Sequence, residues 1–190
     1  MVIVFIGPPG AGKGTQCRRL AAHLGVPHLS TGELLRDTRD DSDLGRLVAG
    51  YIDAGRLAPD DVVLPILTKR LSNEDCANGC LLDGFPRNVN QAEMLDQYLA
   101  DRGQRLDLVL HLDVGRQELI KRLLHRAKTE QRVDDTEDVI AKRLDVFHRQ
   151  TAPVLDYYRD QGHFVVVNGM QSPDEVFSEI LSHLGGSETS

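Results

Sequence analysis

The segment that most constrains this chain is a glycine-rich loop that directly follows an apolar run. Residues 2–6 read Val-Ile-Val-Phe-Ile, and residues 7–15 read Gly-Pro-Pro-Gly-Ala-Gly-Lys-Gly-Thr. A strand, a glycine loop and a helix beginning near Lys13 would direct backbone N–H groups, a helix N-terminus and one ammonium group to a single point. Gly14 occupies the usual Ser/Thr position, and the hydroxyl comes one residue later, at Thr15. The alternative is an ordinary glycine turn, but the combined pattern favours a nucleoside polyphosphate site.

Composition limits the class of protein. The 190 residues fit one domain, and the net charge of −7 argues against an extended surface for nucleic acid or anionic membrane. We find no secretory signal and no apolar run of about 20 residues, so we expect a cytoplasmic protein. No apolar helix face is left unexplained, so we also expect a monomer.

The cysteines and histidines carry little predicted chemistry. Cys17, Cys76 and Cys80 are odd in number, so they do not form a disulfide framework. Cys76 and Cys80 could be half of a metal site, but no second pair stands at zinc spacing. We therefore expect free thiols and no structural zinc. The seven histidines are scattered, and we assign chemistry to none of them.

Apolar runs alternate with amphipathic stretches, which predicts an α/β fold with a parallel sheet and a ligand crevice at the carboxyl ends of its strands. Residues 30–60 and the polar link 127–135 interrupt the alternation, and Pro153 should kink or split a long helix. The predicted strands are 2–6, 27–29, 80–83, 107–113 and 163–167. The predicted helices are 13–24, 31–39, 42–53, 60–72, 88–102, 115–126, 136–161 and 173–184, before a frayed tail at 185–190.

Arginines cluster in segments that should border this crevice. Arg36 and Arg87 each follow a predicted strand, and Arg122 and Arg126 share one helix face. Like charges at this spacing destabilise a helix slightly unless an anion lies between them. Arg132 and Arg143 follow in the link and the next helix. Singly, each is more often a surface charge, but together they are typical of a site that holds two polyanions.

The sequence offers no candidate general base, which favours a phosphate acceptor over an alcohol. A phosphate is already anionic and needs only alignment and charge neutralisation. Asp83, at the end of an apolar strand, is then the candidate to orient Mg²⁺. The alternative for Asp83 is a helix or turn cap.

These motifs together resemble the adenylate kinases. The resemblance covers residues 1–184 and rests on 7–16, 29–36, Asp-Gly-Phe-Pro-Arg at 83–87 with Gln91, and 132–135 with Arg143. It implies a three-layer P-loop NTPase-like fold with a five-stranded parallel sheet. It also implies a core of 1–29, 61–125 and 137–184, an AMP-binding helical excursion at 30–60 and a short lid at 126–136. The implied reaction is MgATP + AMP ⇌ 2 ADP.

The resemblance also implies a role for each matching residue. Lys13 would contact the transferring phosphoryl group, with catalytic arginines at 87, 122, 132 and 143, and Asp83 would reach Mg²⁺ through water. Asp134 and Asp135 would meet arginines as the lid closes, or equally would stabilise a helix N-terminus. ATP would contact Gly10, Ala11, Gly12, Lys13, Gly14, Thr15 and Arg126. AMP would contact Thr31, Arg36, Leu57, Gly84, Arg87 and Gln91, with Gln91 at the adenine edge.

Some positions depart from the family pattern. The link between Arg126 and Arg132 is short, as in members without a zinc-bearing lid. Glu33 replaces the usual Asp, Ala58 replaces a larger aliphatic residue, and Ala127 replaces a frequent Gly. Ala58 would loosen packing around the acceptor base.

Two other functions stay open at this point. A UMP/CMP kinase shares the loop and the arginines, although Thr31 and Gln91 favour AMP. A non-catalytic nucleotide sensor would need the loop but would not need a second phosphate site.

Overall fold

The central feature of the computed structural model is a parallel sheet, and the structure describes residues 1–40, 42–129 and 136–185. The strands are β1 (Val2–Ile6), β2 (His28–Ser30), β3 (Cys80–Asp83), β4 (Leu108–Asp113) and β5 (Phe164–Asn168). They form a five-stranded sheet in the order β2-β3-β1-β4-β5, and every neighbouring pair is parallel. The predicted α/β class and parallel sheet are confirmed.

Each face of the sheet supports its own hydrophobic core. Along β1, Val2, Val4 and Ile6 face one cluster, whereas Ile3 and Phe5 face the other. Side chains alternate between faces along a strand, so a strand covered on both sides is apolar throughout. This accounts for the uninterrupted apolar run before the glycine loop.

Helices cover both faces. The bounds are α1 (Lys13–Leu24), α2 (Thr31–Asp37), α3 (Asp43–Asp53), α4 (Asp60–Leu71), α5 (Val89–Ala100), α6 (Arg116–Thr129), α7 (Glu137–Val146), α8 (Ala152–Arg159) and α9 (Pro173–Gly185). A short 3-10 turn at Glu74–Cys76 precedes β3. No helix in the described part of the chain has both the length and the apolar run needed to cross a bilayer.

The predicted break around Pro153 is confirmed. The segment expected at 136–161 divides into α7, a π-helical stretch at Phe147–Thr151, and α8. Proline has no N–H to donate and clashes with the preceding turn, so the helix must open before it. Pro153 lies in the first turn of α8, where no intrahelical donor is needed.

The end of α6 corrects the sequence analysis. The prediction ended this helix at Arg126 and began a polar link at residue 127, but α6 continues to Thr129. Ala127 and Lys128 are good helix formers, and polar composition alone does not end a helix. The Thr129 hydroxyl donates to the carbonyl of His125 at 3.2 Å, one turn back.

Candidate active site

A cavity of about 410 Å³ lies beside the glycine loop, next to the carboxyl ends of β1 and β3. The strand order reverses on either side of β1, and such switch points open a crevice in parallel sheets. Sequence-predicted residues that line it are Gly10, Gly12, Lys13, Gly14, Thr15, Thr31, Arg36, Leu57, Asp83, Gly84, Arg87, Gln91, Arg122, Arg126 and Arg143.

Three predicted residues cannot be placed. Arg132, Asp134 and Asp135 lie outside the described residues. Ala11 is described, but its side chain is buried in the core with Ile3 and Phe5. Only its backbone could therefore contact a nucleotide.

Glycines shape the loop for close approach. Gly10 and Gly12 have φ values of 85° and 97°, a region that favours glycine. A Cβ at Gly10 would lie 2.9 Å from Leu123 Cγ, and one at Gly14 would lie 3.4 Å from Asp83 Oδ2. The missing side chain at residue 14 thus leaves room for the Asp83 carboxylate.

Lys13 begins α1 and points back across the loop. Its Nζ donates to the carbonyls of Gly7 and Pro8, at 2.8 and 3.0 Å. Burial lowers the pKa of this ammonium, and nearby Arg87 adds to the effect, whereas Asp83 opposes it. An anion in the cavity would stabilise the charged form.

Asp83 ends β3 and faces the same space. Burial alone would raise the pKa of its carboxyl, but His28, Lys13 and Arg87 together hold it below the usual value. His28 Nε2 lies 3.5 Å from Asp83 Oδ2, with the two side chains only 11% and 13% exposed. Asp83 is therefore a buried anion beside Lys13, and oxygen ligands of this kind suit Mg²⁺.

Three arginines, Arg36, Arg87 and Arg143, come close together where they line the cavity. Burial lowers the pKa of Arg87, and the positive charges of Arg143 and Arg36 lower it further, whereas Asp83 raises it. The Arg87 Nε donates to the carbonyl of Gly84 at 2.6 Å. Guanidinium groups this close repel one another, so a polyanion between them would be strongly attracted.

Arg122 and Arg126 lie on α6, the helix that approaches the glycine loop where Leu123 comes close to Gly10. Arg122 Nε contacts Glu118 Oε1 at 2.9 Å, one turn earlier on the helix. A phosphate in the cavity would have to share Arg122 with this carboxylate. Both arginines line the cavity, as the sequence predicts.

Gln91 is buried with its amide held at both ends. Its Oε1 accepts from the backbone N–H of Arg87 at 2.8 Å, and its Nε2 donates to Asp60 Oδ1 at 2.6 Å. A carboxylate only accepts and a backbone N–H only donates, so these partners fix which way the amide points. Among the described residues, one N–H and one oxygen lone pair of this amide have no further partner, and together they can pair with a base edge.

Thr31 and Gly84 form a tight corner of the cavity. The Thr31 hydroxyl donates to the carbonyl of Gly84 at 2.7 Å. Gly84 has a φ of 81°, and a Cβ there would lie 2.9 Å from both Thr31 Oγ1 and Arg87 Nη2. Glycine at this position allows Arg87 to approach the strand end.

The comparisons with known proteins agree with this geometry. Residues 5–163 match the sequence profile of a family described as adenylate kinase. The chain belongs to the adenylate kinase family. It is 50% identical over 183 residues to the adenylate kinase of Kocuria rhizophila, covering 96% of this chain and 97% of that protein. It is 49% identical over 185 residues to that of Maricaulis maris, covering 97% and 98%.

A more distant adenylate kinase differs in length. The protein of Streptomyces avermitilis is 40% identical over 213 aligned positions, covering 97% of each chain. That alignment is longer than the 190 residues of this chain, so the Streptomyces protein carries residues that are absent here. The predicted family and the prediction of an enzyme are confirmed, and the chain is a nucleotide kinase.

The sequence analysis missed several residues that line this cavity or contact its lining. Asp60 was assigned only to a helix, yet it accepts from Gln91 and, at 2.8 Å, from Asn90. His28 was given no chemistry, yet it contacts Asp83. His125 also lines the cavity. For His28, its place in a predicted strand beside the one that ends at Asp83 was an available signal, whereas no local pattern indicated Asp60.

Proposed function

We propose that the enzyme reversibly transfers a phosphoryl group from MgATP to AMP to give two ADP, and so balances the adenine nucleotides. The main support is the grouping of Lys13 with arginines from separate segments around one cavity, in a protein of net charge −7. One triphosphate would not need cations from so many separate segments. Two anionic substrates meeting end to end would.

On the donor side, we propose that residues 10–15 hold the phosphates of ATP. The loop offers backbone N–H groups at the start of α1, and Lys13 lies at its edge. On binding, phosphate oxygens would replace the Gly7 and Pro8 carbonyls that Lys13 contacts. The side chain would then follow the charge as it moves to the acceptor.

On the acceptor side, AMP would lie between α2, β3 and the start of α5. Arg36 and Arg87 would grip its phosphate, and Gln91 would pair with the adenine edge through its free N–H and lone pair. The backbone of Leu57 and Gly84 would line the pocket. Ala58 is small and buried there, so it leaves room for a purine.

The transfer itself requires charge neutralisation more than proton removal, since the acceptor phosphate is already ionised. Mg²⁺ bound to ATP would neutralise charge on the phosphate oxygens, and Asp83 would orient it through water. Arg87, Arg122 and Arg143 would surround the moving group and exclude water. Arg126 would stack on the donor base. Roles for Arg132, Asp134 and Asp135 in a lid at 126–136 stay predictions, as do the monomeric state and the cytoplasmic location.

A coupled assay for ADP formation tests this function. ATP with AMP should yield ADP when Mg²⁺ is present, and chelation should abolish the reaction. AMP should be the fastest of the four acceptors AMP, CMP, UMP and GMP. CMP is the sharpest comparison, because cytosine also presents an amino donor beside a ring acceptor. Faster turnover with CMP would favour a UMP/CMP kinase.

The same assay separates a kinase from a nucleotide sensor. A sensor would bind ATP but form no ADP with any acceptor. Substitution of Arg87 or Gln91 would then leave its ATP affinity unchanged and remove no activity.

A further inference from the structure

Three potential metal ligands from separate elements meet under the glycine loop. Cys17 lies on α1, one turn after Lys13, His28 begins β2, and Asp83 ends β3. Ser30 pairs with Asp83 and His28 with Leu81, so His28 and Asp83 lie on the same face of the sheet. The Sγ, imidazole nitrogen and carboxylate oxygen all lie within 4.8 Å of one another. Across residues 1–40, 42–129 and 136–185, no other His, Cys, Asp or Glu trio comes this close.

One of these ligand atoms lacks a hydrogen bond. His28 Nε2 is fully buried and has no hydrogen-bond partner among the described residues. The Asp83 Oδ2 atom lies 3.5 Å away, which is too far for a well-formed hydrogen bond. Buried polar atoms are nearly always satisfied, so an orphan of this kind requires an explanation. It points toward a carboxylate and a thiol, both of which bind metals.

The distances between these ligand atoms are close to those found around a tetrahedral metal ion. Ligands at about 2.0–2.3 Å from one Zn²⁺ lie about 3.3–3.8 Å apart. The His28–Asp83 pair already has this separation, and Cys17, within 4.8 Å of both, needs to move by roughly 1.5 Å at most. Three protein ligands would leave a fourth position for water, and one of the three, Asp83, also lines the cavity.

The ligand chemistry favours a soft ion over Mg²⁺. Sulfur and imidazole suit Zn²⁺, whereas Mg²⁺ prefers oxygen. A thiolate and a carboxylate would balance the charge of one divalent ion, with a neutral imidazole as the third ligand. Burial and Asp83 raise the pKa of the Cys17 thiol, while Lys13 acts in the opposite direction. Without a bound metal ion the Cys17 thiol is therefore protonated, and metal binding would release one proton to solvent.

We propose that Cys17, His28 and Asp83 form a binding site for a thiophilic divalent cation such as Zn²⁺. Occupancy takes the Asp83 carboxylate away from magnesium and inhibits the enzyme. The inhibition rests on the proposed function of Asp83, but the binding does not. The two halves can therefore fail separately.

Cobalt binding tests the site without an activity assay. Co²⁺ titrated into nucleotide-free protein should bind at about one ion per chain and give a thiolate-to-cobalt charge-transfer band. Cys17→Ala should lose the band and bind at least roughly 100-fold more weakly. His28→Gln should also bind Co²⁺ more weakly while keeping all three thiols. This second variant tests the site even if Cys17→Ala fails to fold. Cys76→Ala is the matched control, since it also removes a buried thiol, and it should keep the band.

A band that persists in Cys17→Ala, or disappears in Cys76→Ala, would overturn the site. So would the absence of a thiolate band in the wild-type protein.

The activity test uses protein loaded with Zn²⁺ and then desalted. The wild-type enzyme should lose most of its activity and regain it with chelator, whereas Cys17→Ala should be unaffected by the treatment. Zinc bound at Cys17 with full activity would overturn the inhibition and the proposed role of Asp83, but not the binding.

Discussion

The glycine loop, our proposed donor loop, and the residues around Gln91, our proposed acceptor pocket, face the same cavity but are built differently. The donor loop consists mainly of backbone, with positive-φ glycines at 10 and 12 and one charged side chain, Lys13. The acceptor pocket consists of side chains that other side chains hold in place, as Asp60 holds Gln91. A backbone cradle recognises phosphate whatever base it carries. A fixed amide can distinguish one base from another.

This contrast predicts different kinetic signatures for the two regions. Loss of a donor-side charge should act on the transition state and therefore on kcat. Loss of an acceptor-side hydrogen bond should act on binding and therefore on the KM for AMP. A donor-side substitution that changed only KM, or an acceptor-side substitution that changed only kcat, would contradict this difference between the two regions.

Lys13→Met should give the largest loss. The charge matters most as the phosphoryl group moves, so kcat should fall about 10³-fold, while ATP affinity changes by about tenfold at most. Steady-state kinetics and nucleotide titration measure the two effects. Lys142→Met makes the same change at an exposed position of α7 and should have little effect. An equal loss of ATP affinity and of kcat would show that Lys13 contributes to binding ATP in the ground state as well as to the transition state.

Arg87→Lys lies between the two regions and should cost on the order of 10²-fold in kcat/KM for AMP. The positive charge remains, but the planar fork that contacts Gly84 and would bind the phosphate is lost. Arg149→Lys is the control, because Arg149 is exposed and pairs only within its own helical segment with Asp145, at 3.0 Å, among the contacts described. Near-normal turnover in Arg87→Lys would remove bidentate phosphate binding from the mechanism.

The donor loop could be predicted from sequence because its parts are adjacent. Strand, glycines, Lys13 and helix follow one another, so one local pattern specifies the geometry. The role of Asp83 could be predicted for the same reason, since it ends an apolar strand. The parallel sheet also followed from local alternation. The strand bounds shifted by only one residue, at β2, at β5 and at the start of β4.

Contacts between distant segments could not be predicted in this way. Asp60 and Gln91 are on different helices, and only folding brings a carboxylate to that amide. Cys17 and His28 meet Asp83 because β2 pairs with β3 and α1 packs over them. Zinc spacing along the sequence tests only ligands that are close in the chain, so it gave no indication of this group.

Gln91→Leu should affect the acceptor alone. The buried base edge would lose its partner, which costs about 2 kcal/mol and should raise the KM for AMP about 30-fold. The KM for ATP should stay almost unchanged. Gln97→Leu, an exposed substitution on the same helix, is the control. Equal effects on both substrates would mean that Gln91 supports the site as a whole.

Asp60→Asn tests whether the acceptor amide must be held in place. Asp60 accepts from Gln91 at 2.6 Å and from Asn90 at 2.8 Å, and these bonds help to lower the pKa of its carboxyl against the effect of burial. Asparagine keeps the shape but turns one acceptor into a donor, so Gln91 should lose its fixed orientation. The KM for AMP should rise about fivefold, or about 1 kcal/mol, with kcat and the KM for ATP unchanged.

Asp61→Asn is the matched control for Asp60, because it removes the same charge from the first turn of α4 at an exposed position. Both changes weaken the favourable interaction with the helix dipole equally. Thermal unfolding should therefore respond to both variants, and only Asp60→Asn should change the KM for AMP. If Asp61→Asn raised that KM as much, the effect would come from the helix N-terminus. The acceptor side would then depend on backbone electrostatics in the same way as the donor loop.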